Sequence, residues 1–146
     1  MSIPNGLVPL LTFRLAKQYY ALRIEHVVEV AAMVAVTELP NTRSANLGIA
    51  NRHGQALPML DMRHAFKLPA ESVNTSTLFI VAKSEEQLVG LVVDEIFQVK
   101  YIQGTAFSTS HGAGEHISHV ISDSGKLYQL INLSSLLRAF LSHIEI

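Results

Sequence analysis

The chain has 146 residues, of which 49% are apolar and 16% charged, with a formal net charge of −1 and no cysteine. The length favours one folding unit, large enough to bury a core without covalent staples. The charge offers no broad basic field for nucleic acid or anionic lipid, and the lack of cysteine excludes disulfide frameworks, thiol nucleophiles and thiolate metal sites. Residues Met1 to Gly6 carry no positive n-region of a signal peptide, and the longest apolar runs, such as Val30 to Val36, fall short of a membrane span of roughly 20 residues. A cytoplasmic location without membrane insertion is therefore expected.

In chain order, most segments read as strand. Leu10 to Leu15 opens the series, Gln18-Tyr19-Tyr20 reads as a turn, and Leu22 and Ile24 alternate with polar neighbours. Val27, Val28 and Val30 follow, β-branched as a pleated surface prefers. Leu39-Pro40-Asn41 closes that stretch as a turn. Gly48-Ile49-Ala50-Asn51 is a short strand, and Asn51-Arg52-His53-Gly54 turns it into a partner strand from Gln55 to Leu60. Pro58 has no N–H to donate, which points to an edge position or a bulge. Asp61 precedes a short helical turn and is placed to cap it. Residues from Pro69 to Ser76 read as a linker.

The second half repeats the first. Phe13, Ala16 and Lys17 align with Phe79, Ala82 and Lys83. Leu22, Ile24, Glu25, Val27 and Val30 align with Leu91, Val93, Asp94, Ile96 and Val99, as an insertion at Ser84-Glu85-Glu86 would produce. Gly54 aligns with Gly125 and Asp61 with Asn132. The expected halves are residues 10–68 and 77–141 of a single domain spanning 1–146. Leu136, Leu137, Phe140, Leu141 and Ile144 then form one apolar helical face near the C-terminus. Two copies of a five-strand pattern predict an all-β protein of two small barrels with a short C-terminal helix.

Motifs for chemistry are weak. There is no G-x-S-x-G, P-loop or dinucleotide fingerprint, so no enzyme and no cofactor is expected. His111, Glu115, His116 and His119 are zinc-type side chains, but their spacing fits no zinc motif, and no metal site is assigned. A small barrel binding another ligand or nucleic acid is the alternative reading; scattered Lys and Arg residues weigh against nucleic acid.

Four segments resemble the CheW-like family. Gly48 to Arg63 is similar to its G-V-x-N-L-R-G-x-x-L-P-V-V-D-L-R signature. Val89-Gly90-Leu91-Val92-Val93-Asp94, Ala21 to Val30, and Asp123 to Leu133 match further family segments in order. The resemblance covers about residues 10 to 141. It implies two intertwined SH3-like barrels and a non-enzymatic adaptor. The implied partners are the regulatory domain of a CheA-type histidine kinase and the cytoplasmic tip of a chemoreceptor, with the adaptor recruited to membrane receptor arrays. The residues it points to are Val27, Glu29, Gly48, Asn51, Arg52, His53, Pro58 and Arg63. Val27 also suits a core, Glu29 an exposed face, and Asp61 and Arg63 a cap and a solvated cation. The family's Leu-Arg appears here as Arg52-His53, and its later glycine and aspartate as Ser118 and Asn132. This drift suits a divergent or auxiliary adaptor.

Overall fold

Four tight turns set the topology. The computed structural model describes residues 5–38, 45–69, 77–109 and 114–141. Strands β1 (Leu7–Leu15) and β2 (Gln18–Arg23) form a hairpin, followed by a single 3₁₀ turn (Ile24–His26). Next come β3 (Val27–Ala32), β4 (Val36–Thr37), β5 (Asn46–Arg52), β6 (Gln55–Asp61) and helix α1 (Met62–Ala65). The second half runs β7 (Leu78–Ser84), β8 (Gln87–Val93), β9 (Glu95–Gln103), a 3₁₀ turn (Gly104–Ala106), β10 (Phe107–Thr109), β11 (Ile117–Asp123), β12 (Lys126–Ile131) and α2 (Leu133–Leu141).

The strands form two six-stranded sheets, ordered β10-β11-β12-β2-β1-β9 and β3-β7-β8-β6-β5-β4. The two outermost strands of each sheet are consecutive in the chain, so each sheet curls back on itself toward a barrel. The expected five strands become six segments because the bent strand is broken, by residues 33–35 in one sheet and by the 3₁₀ turn 104–106 in the other. The halves exchange hairpins: β1 and β2 complete the sheet of β9 to β12, while β7 and β8 complete that of β3 to β6. This is the intertwined all-β fold expected from the sequence.

The two sheets share one wiring. Each antiparallel and parallel pair in the first has a counterpart six strands away in the second, including the parallel pairs β12·β2 and β6·β8. Bulges also coincide, between Ile117 and His119 and between Asn46 and Gly48. The registers correct the alignment read from sequence. Leu15 pairs with Gln18 and Ser84 with Gln87, so the turn Ala16-Lys17 corresponds to Glu85-Glu86 with no insertion. Ala16 and Glu85 share the same left-handed backbone, φ 53 and 51. The turn expected at Gln18 to Tyr20 is strand, and the chain reverses two residues earlier.

Alternation along buried strands builds three clusters. Phe79 and Val81 join Ala50, Leu57 and Met59 inside one barrel. Val8, Leu10, Ala21 and Leu130 fill the other. Ile80, Ala82, Leu91 and Val93 meet Phe13, Leu15 and Leu22 in a core common to both sheets, which α2 closes with Leu133, Leu136 and Leu137. Each such side chain contributes about 1.5–3 kcal/mol on burial, so hairpin exchange ties the barrels together through their most apolar surfaces. Asn132 caps α2 as expected, its Oδ1 accepting from Ser135 N at 3.2 Å. Ile144, Leu39-Pro40-Asn41, the linker from residue 70 and His111 lie outside the described residues.

Candidate partner-binding surface

Three of the expected contact residues are turned inward. Arg63 is 2% exposed, so it is neither solvated nor presented to a partner. Asp61 caps α1 by accepting from Arg63 N at 3.1 Å, and the same carboxylate takes Arg63 Nε at 3.0 Å. Arg63 Nη1 reaches Asp94 Oδ1 at 3.1 Å. Burial alone would lower the pKa of this guanidinium, but Asp61 and Asp94 outweigh it and the pKa rises. Asp94 lies where the chain leaves β8 for the other sheet, and its Oδ2 accepts from Ala16 N in the β1–β2 turn at 2.6 Å. A hydrophobic-to-polar pattern does not show this; a buried cation needs two carboxylates that only the fold brings together.

Pro58 is buried and pairs with Ile49 in an interior strand, not at an edge. The strand tolerates it because the β8 ladder starts only at Met59, so no N–H is needed on that side. Gly48 is also buried. Its φ of +130 and the Thr37 carbonyl, which a Cβ would strike, leave room for glycine alone.

The other candidates gather near the β5–β6 turn. His53 and Gly54 have φ of 51 and 81, the double left-handed pattern of a type I′ hairpin. Asn51 Oδ1 accepts from Gly54 N at 2.8 Å and fixes that turn. Asn51 and His53 are exposed. Arg52 Nε meets Glu29 Oε1 at 2.9 Å, so the forked cation of this turn sits one residue earlier than in the family pattern. The pair links β3, at one margin of the sheet, to β5, next to the other margin strand β4, and so spans the barrel seam.

Val27 packs against the shared core and is half-buried. Its neighbours Val28 and Val30 are 45% and 44% exposed on edge strand β3, with Val34 beyond them. The family resemblance points to Val27, whereas the period-two alternation of Val28 and Val30 marks the exposed face of the strand. The corresponding strand of the other sheet, β9, exposes Val99 and Tyr101, the latter to 67%, beside Leu7 on β1. Edge strands carrying apolar rows are natural docking surfaces.

This architecture has close counterparts. The model of the CheW-like domain matches residues 9–140. The chain belongs to the CheW-like family. The chemotaxis protein CheW of Helicobacter pylori is 28% identical over 93 residues, which are 64% of this chain and 56% of that protein. This CheW-like chain thus matches little more than half the length of that relative. The chemotaxis protein CheW of Rhizobium meliloti is 26% identical over 138 residues, 91% of this chain and 89% of that protein. The crystal structure of scaffolding protein TtCheW from Thermoanaerobacter tengcongensis superposes with a TM-score of 0.86, covering 96% of this chain and 97% of that one at 23% identity. The two relatives are named as chemotaxis proteins and the solved neighbour as a scaffolding protein. No helix among the described residues is long and apolar enough to cross a membrane.

The repeat gives this CheW-like fold a second junction matching the one at Arg63. There Ser134 stands for Arg63, Asn132 for Asp61 and Glu25 for Asp94. Ser134 Oγ meets Ser84 Oγ at 3.0 Å, and Glu25 pairs outside with Arg23 at 3.1 Å. His116 and His119 engage different partners, Ser135 and Ser118. Among the described residues no group of three His, Cys, Asp or Glu side chains is arranged to hold a metal.

Proposed function

We propose that this chain couples a chemoreceptor to a CheA-type histidine kinase, holding both by separate faces at the receptor array. The observation that carries this reading is the apolar row Val28, Val30 and Val34 exposed beside the Glu29–Arg52 pair. An apolar strip flanked by fixed charge suits the apolar face of a partner helix, as a receptor tip presents. The turn at Asn51 and His53 adds exposed polar groups next to it. Two faces on one rigid scaffold raise the effective concentration of the kinase near the receptor.

Calorimetry with the kinase regulatory domain, and separately with the receptor's cytoplasmic hairpin, tests the proposal. Micromolar binding to each is expected. Val30→Asp is expected to weaken one of the two by at least about tenfold, the loss of about 1.4 kcal/mol for one buried apolar contact. His53→Arg, which restores the family's turn residue, is expected to tighten it. Failure of both partners to bind sinks the adaptor reading and leaves the fold standing.

A further inference from the structure

The surroundings of His116 take no part in the surface described above. His116 leads into β11 with φ 67, a backbone region that a non-glycine residue adopts rarely and at a cost. The other sheet has Ala45 at this place: Asp61 N donates to Ala45 O as Asn132 N donates to His116 O. The imidazole is 9% exposed and bonds through Nδ1 to Ser135 Oγ at 2.7 Å. It meets the rings of Phe66 and Phe140 edge-on, with centroids 6.3 and 5.9 Å away. Phe66 in turn packs on Tyr20 at 5.3 Å. These four rings line a cavity of about 360 Å³, within the range of roughly 300–1,000 Å³ typical of small-molecule sites.

The polar lining selects a kind of ligand. Gln18 Oε1 accepts from Tyr20 Oη at 3.0 Å and from Gln129 Nε2 at 2.9 Å. Both amides are thereby oriented. Gln18 Nε2 and Gln129 Oε1 are left without partners among the described residues, one donor and one acceptor on the same wall. Burial holds His116 below its ordinary pKa, with Glu115 only partly offsetting it, so the ring is neutral near pH 7. Lys67 and Glu115 also line the cavity and balance each other in charge. Aromatic walls favour a flat ligand, the amide pair favours one with adjacent acceptor and donor groups, and the charge balance favours a neutral one.

We propose that this cavity is a binding site for a small neutral heteroaromatic compound with a donor–acceptor edge, of the nucleobase or aromatic carboxamide class. The site is independent of the adaptor reading and its test needs neither kinase nor receptor. The ¹⁵N-labelled full chain would be titrated by NMR with adenosine, guanosine, uridine and nicotinamide, with benzoate and tyramine as charged controls. Saturable shifts are expected from at least one neutral compound, centred on Phe66, His116 and Gln129. Gln129→Ala and Gln18→Ala are expected to weaken binding about tenfold each through loss of an oriented amide. Both side chains lie on strands outside the core, so the variants keep the fold, whereas His116→Ala would unseat α2. The proposal is overturned by no shift from any neutral compound at millimolar concentration, by binding unchanged in both glutamine variants, or by benzoate or tyramine binding as tightly.

Discussion

The two junctions between the sheets have the same wiring and opposite chemistry. At one, a fully buried guanidinium is held by Asp61 and Asp94, and Asp94 also clasps the β1–β2 turn. At the other, two serine hydroxyls meet and the matching acid faces outward. A repeat conserves strand pairing because backbone hydrogen bonds do not depend on side chains. It leaves junction chemistry free to diverge, because either an ion triad or a neutral pair satisfies the buried groups. The ionic solution is brittle, since all three charges are needed at once; the neutral one degrades gradually.

The largest expected effect follows from that brittleness. Arg63→Ala strands two carboxylates and is expected to cost about 3–5 kcal/mol in urea unfolding, whereas Ser134→Ala is expected to cost about 0.5–1.5 kcal/mol. Equal losses would break the contrast. The paired bulges sharpen it next. Gly48→Ala meets the Thr37 carbonyl at a left-handed φ, and more than about 2 kcal/mol of destabilisation is expected. His119, the matching residue, lacks a positive φ and is partly exposed; His119→Ala is expected to cost under about 1 kcal/mol.

A smaller effect is the pH response of the neutral side. Burial lowers the pKa of His116 and of His119 from 6.5. The unfolded chain therefore takes up these protons at a higher pH than the folded one. Their contribution is fully present above 6.5 and declines as pH falls toward the folded values. Unfolding followed from about pH 8 to about pH 5 should show this decline, and His116→Gln should flatten it. An unchanged slope would remove His116 from the account. The smallest expected effect concerns the hairpins. Glu85 and Glu86 both adopt left-handed φ, 51 and 69, where the β5–β6 and β11–β12 turns place glycine second, at His53-Gly54 and Ser124-Gly125. Replacing Glu85-Glu86 by Asn-Gly is expected to stabilise the chain by about 0.5–1 kcal/mol, read as a higher urea midpoint.

Much of this fold could be read from the chain because strand patterns and turns are local. Gly54, Gly125, Asp61 and Asn132 announced their turns and caps through residue type alone. The exchange of hairpins left no local trace and came only with the family resemblance. Equivalence of Ala16-Lys17 with Glu85-Glu86 is hidden in the sequence because the turns share a position and a left-handed first residue but no side-chain chemistry. Of the residues proposed for the site, Glu29, Arg52, Asn51 and His53 gather around one seam. Arg63 and Pro58 were misplaced outward, since burial of a charge or a proline depends on partners distant in sequence. Val28 and Val30 form the exposed face of β3, whose residues alternate between half-buried and exposed along the whole strand; the family resemblance points instead to Val27, on the half-buried face.

Hairpin exchange also governs how the molecule can be made. Gln18 on β2 bonds to Gln129 on β12, 111 residues later in the chain. During synthesis the first hairpin must wait, its edge uncovered, until β12 has left the ribosome, so completion of the first sheet is slow and late. Cutting the gene between β6 and β7 would yield two fragments, each missing the hairpin the other carries. Separately they would expose raw sheet margins; co-expressed, each would supply what its mate lacks, making this scaffold a natural split reporter for proximity.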